Sequence, residues 1–136
     1  MRKFILTALA GLGATGALAL AVAPSAAQNA NLALFGELDR GQWELRFRDG
    51  EPSQRICLRE GTELIQLRHR GANCSRLVVE NGANQVTVQY TCRGNGYGRT
   101  SVRLESATLA QVESQGIAGG RPFQFSAEAR RVGSCR

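Results

Sequence analysis

Two β-rich runs with a cysteine at either end fill the segment from Cys74 to Gly98, CSRLVVENGANQVTVQYTCRGNGYG. Val86, Val88 and Tyr90 alternate with Gln85, Thr87, Gln89 and Thr91, the twofold period of a strand with one buried and one wet face. Leu77 and Val79 carry the same alternation ahead of them. Between the runs, Asn81-Gly82 can take positive φ at little cost and turn the chain back on itself. A hairpin follows, with Val79 opposite Val86 and Leu77 opposite Val88, so that all four face the core. That register brings Cys74 nearly opposite Cys92 and predicts a disulfide across the open end. Strict alternation points Cys74 away from the face of Cys92, so the same reading requires a β-bulge near residues 73–75.

Arg2 and Lys3 precede an apolar run from Phe4 to about Val22, and Pro24-Ser25-Ala26-Ala27 then supplies the small residues that a signal peptidase reads. Residues 1–27 are therefore expected to be a signal peptide cleaved after Ala27. Residues 28–40 form an N-terminal arm or short helix whose Leu32, Leu34 and Phe35 cover one end of a sheet, and residues 41–136 form a single disulfide-bonded β domain. Gly11, Gly13 and Gly16 match a dinucleotide fingerprint only formally, since they lie in the leader with no strand before them. Export places the mature chain in the periplasm or outside the cell, with no transmembrane segment left in it. Such a compartment is oxidising, which suits an even number of cysteines. Cys57, Cys74, Cys92 and Cys135 include no CxxC pair and His69 is the sole histidine, so we expect disulfides rather than zinc, and no cofactor. Of three connectivities the hairpin favours Cys74 with Cys92, leaving Cys57 with Cys135.

In residues 42–48, Trp43, Leu45 and Phe47 point one way and Gln42, Glu44, Arg46 and Arg48 the other. Asp49-Gly50-Glu51-Pro52-Ser53 has the residues of a turn, and Ile56 and Leu58 mark the inner face of the next strand. Pairing Phe47 with Ile56 and Leu45 with Leu58 keeps the apolar sides together; it also sets Glu44 opposite Arg59 and Arg48 opposite Arg55. Leu64, Leu67 and Arg68, after a capping Thr62, predict a short helix over residues 62–69. Beyond the hairpin, Thr100, Val102 and Leu104 alternate, a further strand covers about residues 108–117, and Phe123, Phe125, Ala127 and Ala129 form the apolar side of a last one. The expected fold is all-β: an antiparallel meander of about seven strands, curled or closed into a small barrel, with one short helix.

Gly41-Gln42-Trp43-Glu44, Ile56-Cys57-Leu58, Cys74, Tyr90-Thr91-Cys92 with its following glycines, and the cysteine at the very end resemble the bacterial family of domain of unknown function 3617. The resemblance runs from about Gly41 to Cys135 and departs in the Arg-rich residues 59–70, where many members are richer in proline. It implies a small exported, periplasmic β protein and no particular activity.

His69, flanked by Arg68 and Arg70, suits neither a poised base nor a metal ligand and reads as a surface histidine. Glu60 with Glu63, and Glu105 with Glu113 across a hairpin, read as solvated carboxylates rather than an acid–base pair. Gly94 to Gly98 lacks the Lys-Ser/Thr of a phosphate loop and reads as a tight turn. Beyond Lys3 the chain has no lysine, and after the leader 15 arginines stand against 11 acids. Guanidinium groups suit bidentate binding of carboxylate or phosphate. We therefore read Arg46, Arg48, Arg55 and Arg59, gathered around Glu44, as a weak anion-binding face for an anionic envelope component or a small ligand. Nucleic acid is not expected as a partner of an exported chain whose aromatic positions read as core. The expected function is a non-catalytic binding or envelope-associated module; the alternative is a small periplasmic hydrolase.

Overall fold

The computed structural model describes residues 32–136, so the leader, its cleavage site and the first residues of the arm lie outside the described residues. Seven strands follow one another: β1 Gly41–Phe47, β2 Gln54–Leu58, β3 Cys74–Asn81, β4 Gln85–Cys92, β5 Gly96–Ser106, β6 Leu109–Ala118 and β7 Arg121–Gly133. All pair antiparallel in one sheet of order β2-β1-β7-β6-β5-β4-β3. The meander from β3 to β7 thus returns to β1, and β2 is added beyond it. The sheet is not closed into a barrel, because β2 and β3 remain its two edges.

Residues 59–73 join those two opposite edges, and their route fills the inside of the sheet. Leu64, Ile65, Leu67 and His69 are buried there. Thr100 on β5 donates to the carbonyl of Ile65 at 2.7 Å, while the Arg68 guanidinium lies 5.4 Å from the ring centre of Phe47 on β1 and 4.9 Å from that of Phe125 on β7. The helix expected over residues 62–69 is reduced to one 3₁₀ turn, Thr62–Leu64, followed by tighter turns such as His69 N–H to Gln66 carbonyl. A regular helix offers the core a single stripe, whereas this segment sends apolar side chains to several strands around it. Gly61 opens the turn in the left-handed region at φ 88°, with its Cα against the Phe35 ring, where a side chain would collide. Phe35 belongs to a 3₁₀ turn, Ala33–Glu37, that buries Leu34 and Phe35. The arm is tied down by hydrogen bonds from Asp39 N–H to the Ala107 carbonyl and from Trp43 Nε1 to the Asp39 carbonyl.

Two registers differ from those expected. In the first hairpin Trp43 pairs with Ile56 and Glu44 with Arg55, a slide of four residues that keeps every side chain on its expected face because the shift is even. Glu44 therefore faces Arg55 rather than Arg59, and Arg48 does not oppose Arg55. The cause is a longer loop: β1 leaves β2 at Leu45 and goes on pairing with β7 through Phe47 and Ala127, then Arg48 N–H to the Ser126 carbonyl. In the second hairpin Cys74 stands directly opposite Cys92 and Val78 opposite Val88. This differs from the expected pairing by one residue, which inverts the strand. Leu77 and Val79, expected inside, are 49% and 46% exposed, while Cys74, Arg76 and Val78 turn toward the core side. The bulge falls between Val78 and Glu80 rather than at residues 73–75. A disulfide needs both cysteines on one side at short range, and the Cα atoms of Cys74 and Cys92 are 4.2 Å apart. Cys57 bonds to Cys135 at a Cα separation of 5.5 Å. No helix among the described residues is long and apolar enough to cross a membrane.

Candidate ligand-binding cleft

The edge strands and the segment between them enclose a cleft of about 620 Å³, whose charged lining is Arg55, Glu60, Glu63, Arg70 and Arg76. Alternation along β3 fixes Arg76: because Cys74 must face Cys92, the residue two further on shares its side, and Arg76 lies half-buried opposite Tyr90. Its Nε and Nη2 donate to Gln66 Oε1 at 2.8 and 2.6 Å. Gln66 is held in turn by its own amide, which donates to the Ala72 carbonyl and to Cys74 Sγ at 3.3 and 3.1 Å. Arg76 is thus oriented by a neutral oxygen, and among the described residues no carboxylate comes within ion-pair distance of it. Arg70 likewise donates to a neutral group, Gln54 Oε1 at 3.0 Å, and Arg55 reaches Glu44 only at 4.0 Å. Glu63 is committed to the turn, accepting from the backbone N–H of Arg59 and Glu60 at 2.9 and 3.2 Å.

Of the four arginines expected to form an anion face, only Arg55 lines this cleft. Arg46 is exposed and paired with Glu44 at 3.1 Å. Arg48 crosses to Gln111 on β6 at 2.7 Å, and Arg59 is exposed just beyond the end of β2. Arg46 and Arg55 thus share Glu44, while Arg48 and Arg59 form no ion pair with it. Arg70, Arg76 and Gln66 were missed in the sequence reading, although the cysteine pair carried the signal that puts Arg76 inside.

His69 is not a surface histidine. It is 2% exposed, with Nδ1 3.1 Å from Tyr90 Oη and Nε2 2.8 Å from the Asn95 carbonyl. A carbonyl only accepts, so Nε2 carries the hydrogen and Nδ1 accepts from the Tyr90 hydroxyl. Of the flanking arginines, Arg70 is exposed and reaches Gln54, whereas Arg68 is half-buried beside the Phe47 and Phe125 rings and forms a two-oxygen pair with Glu51 at 2.6 and 2.7 Å. Burial raises the Tyr90 phenol above its usual range, and a hydrogen bond with Ser114 offsets this only in part. Gly98 leaves the space that the Tyr90 ring occupies. Gly94 and Gly96 adopt positive φ in the turn between β4 and β5, with Asn95 N–H bonded to the Cys92 carbonyl.

Glu113 pairs with Ser101 and not with Glu105, whose carboxylate is taken by Arg103 and Gln111. Among the described residues no group of three or more His, Cys, Asp and Glu side chains is placed to hold a metal ion. What the cleft offers is guanidinium donors backed by neutral oxygens, an arrangement suited to receiving an anion. The family model described as "Protein of unknown function (DUF3617)" matches residues 38–135 of the chain. No curated protein and no solved structure matches it.

Proposed function

Because the chain belongs to the DUF3617 family, whose description assigns no activity, we propose from the cleft that it is an exported, non-catalytic binding module for a small carboxylate- or phosphate-bearing ligand. The observation that carries this is Arg76, a half-buried cation whose guanidinium, among the described residues, has the amide oxygen of Gln66 as its sole hydrogen-bond partner. A guanidinium drawn partly out of water and given only a neutral acceptor gains by meeting an anion, and its planar fork grips two oxygens at once. Arg55 and Arg70 add charge at the rim. Two disulfides and the leader-like residues 1–27 support export to the periplasm or beyond, where an envelope component could be the partner. No observation favours the hydrolase: both ring nitrogens of His69 are engaged in the interior, and Glu63 is bound to backbone amides.

Calorimetric titration of the mature protein at low salt, with citrate and inorganic phosphate as probes, tests the reading. Citrate is expected to bind with a dissociation constant of roughly 1 mM or tighter. Arg76→Gln should weaken it about tenfold, and Arg46→Gln, outside the cleft, should leave it unchanged. Equal binding by the wild type and Arg76→Gln would remove the cleft from consideration.

A further inference from the structure

The sheet's opposite, outer face carries a second arrangement, independent of the cleft. Three consecutive pairings, Gln89 with Arg99, Arg99 with Gln115, and Gln115 with Gln124, set four long polar side chains in one row across β4, β5, β6 and β7. All four are exposed, while their sequence neighbours Val88, Tyr90, Thr100, Ser114 and Phe125 are buried, which fixes the row on the outside. At about 4.8 Å between strands it spans roughly 14 Å.

Neighbouring parts of the same face are knit together internally. Thr87 bonds to Glu80 and Ser101, Arg48 to Gln111, Gln111 to Glu105 and Glu105 to Arg103, and Arg130 to Glu128. The row differs, because its three amides and its guanidinium make no side-chain hydrogen bond to any described residue. Beside it, the next pairings set Tyr97 against Ile117 and Ile117 against Pro122, and Tyr97 is 51% exposed. Row and apolar flank border one shallow depression of about 610 Å³.

We infer that this row is a binding site for a linear oligosaccharide bearing carboxylate groups. Each amide offers two donors and an acceptor in one plane, and the guanidinium a fork of donors. That set matches paired sugar hydroxyls, which both donate and accept, better than it matches phosphates, which only accept. The Tyr97 ring and Pro122 supply an apolar wall for the C–H face of a sugar ring. Arg99 is the row's single charge and complements one sugar carboxylate through two parallel hydrogen bonds. Glu113, in the adjacent row between Ser101 and Ser126, sets a negative border that disfavours a densely charged polyanion and accepts from a hydroxyl.

The test titrates the mature protein by calorimetry with hexagalacturonate, with uncharged cellohexaose and with polyphosphate. Hexagalacturonate should bind at least tenfold more tightly than either control. Arg99→Ala and Gln115→Ala should each weaken it about tenfold, with thermal unfolding unchanged because both positions are exposed. Arg103→Ala, on the same face but internally paired, and Arg76→Gln, in the cleft, should have no effect. Absence of hexagalacturonate binding, or polyphosphate binding equally well, would overturn the inference; loss on Arg76→Gln alone would assign the sugar to the cleft and overturn it too.

Discussion

Both ring nitrogens of His69 are engaged, Nδ1 by the Tyr90 hydroxyl and Nε2 by the Asn95 carbonyl. Replacing it with leucine fills much of the volume but removes both hydrogen bonds, leaving the Tyr90 hydroxyl with Ser114 alone and the Asn95 carbonyl without its imidazole donor. Unsatisfied buried groups cost about 1–3 kcal/mol each, so His69→Leu is expected to lower stability by about 3 kcal/mol, read from urea unfolding midpoints. A loss within 0.5 kcal/mol, the size of an ordinary surface substitution, would place His69 outside the core. Tyr90 gives a second observable, since its phenol is raised above 10.0 mainly by burial. The folded chain then keeps a proton that the unfolded chain has already released, so this contribution to stability is complete below pH 10 and declines as the pH rises further. An ultraviolet alkaline titration of Tyr97→Phe, in which Tyr90 is the remaining tyrosine, should show the phenol ionising above its usual range and together with loss of the fold. Ionisation of Tyr90 in the ordinary phenol range, with the fold intact, would contradict the buried hydroxyl.

At the scale of elements, β3 shows what sets a register. The alternation of Leu77 and Val79 alone favours burying them, yet the strand exposes both, because the disulfide requires Cys74 on the side of Cys92 and a one-residue shift turns the whole strand over. Leu77→Ser should therefore change stability by no more than about 0.5 kcal/mol, while Val86→Ala, fully buried on β4, should cost about 1–2 kcal/mol. Comparable losses from the two would place Leu77 in the core and overturn the observed register. The disulfides differ in the loops they close, with sequence separations of 18 for Cys74–Cys92 and 78 for Cys57–Cys135. Chain entropy assigns about 3 kcal/mol to the short loop and about 4.5 kcal/mol to the long one. Thermal unfolding of Cys57→Ser/Cys135→Ser should thus fall further than that of Cys74→Ser/Cys92→Ser, and the reverse order would show that strain or residual structure outweighs loop length.

For the whole molecule, the deciding feature is the passage of residues 59–73 from one edge of the sheet to the other. A seven-stranded sheet left open between β2 and β3 exposes its inner face unless something fills it, and Leu64, Ile65 and Leu67 do so. Leu64 is fully buried, so Leu64→Ala is expected to cost about 3 kcal/mol and to speed proteolysis between residues 60 and 73. A cost below about 1 kcal/mol would mean that the segment decorates the sheet rather than filling it. The same passage builds the cleft, since it brings Gln66 and Arg70 between strands that are distant in the sheet order.

Strand number, the inward faces of β1, β2, β4, β5 and β7 and both disulfides could be read from the chain, because pleat alternation is local and four cysteines offer few pairings. Family membership was legible for the same reason, in short motifs around Trp43 and the cysteines. Register was not legible: loop length and long-range pairing choose among offsets that satisfy alternation almost equally well, which is how β2 slid by four residues and β3 turned over. Nor was the place of Arg68-His69-Arg70. Three polar side chains in a row read as surface, and only the route of the segment beneath the sheet decides that the imidazole goes inward, that Arg68 packs half-buried on the Phe47 and Phe125 rings, and that Arg70 alone is exposed. The arginines of the cleft followed suit, since Arg55, Arg70 and Arg76 line one cleft only because two sheet edges far apart in strand order are joined by one short piece of chain.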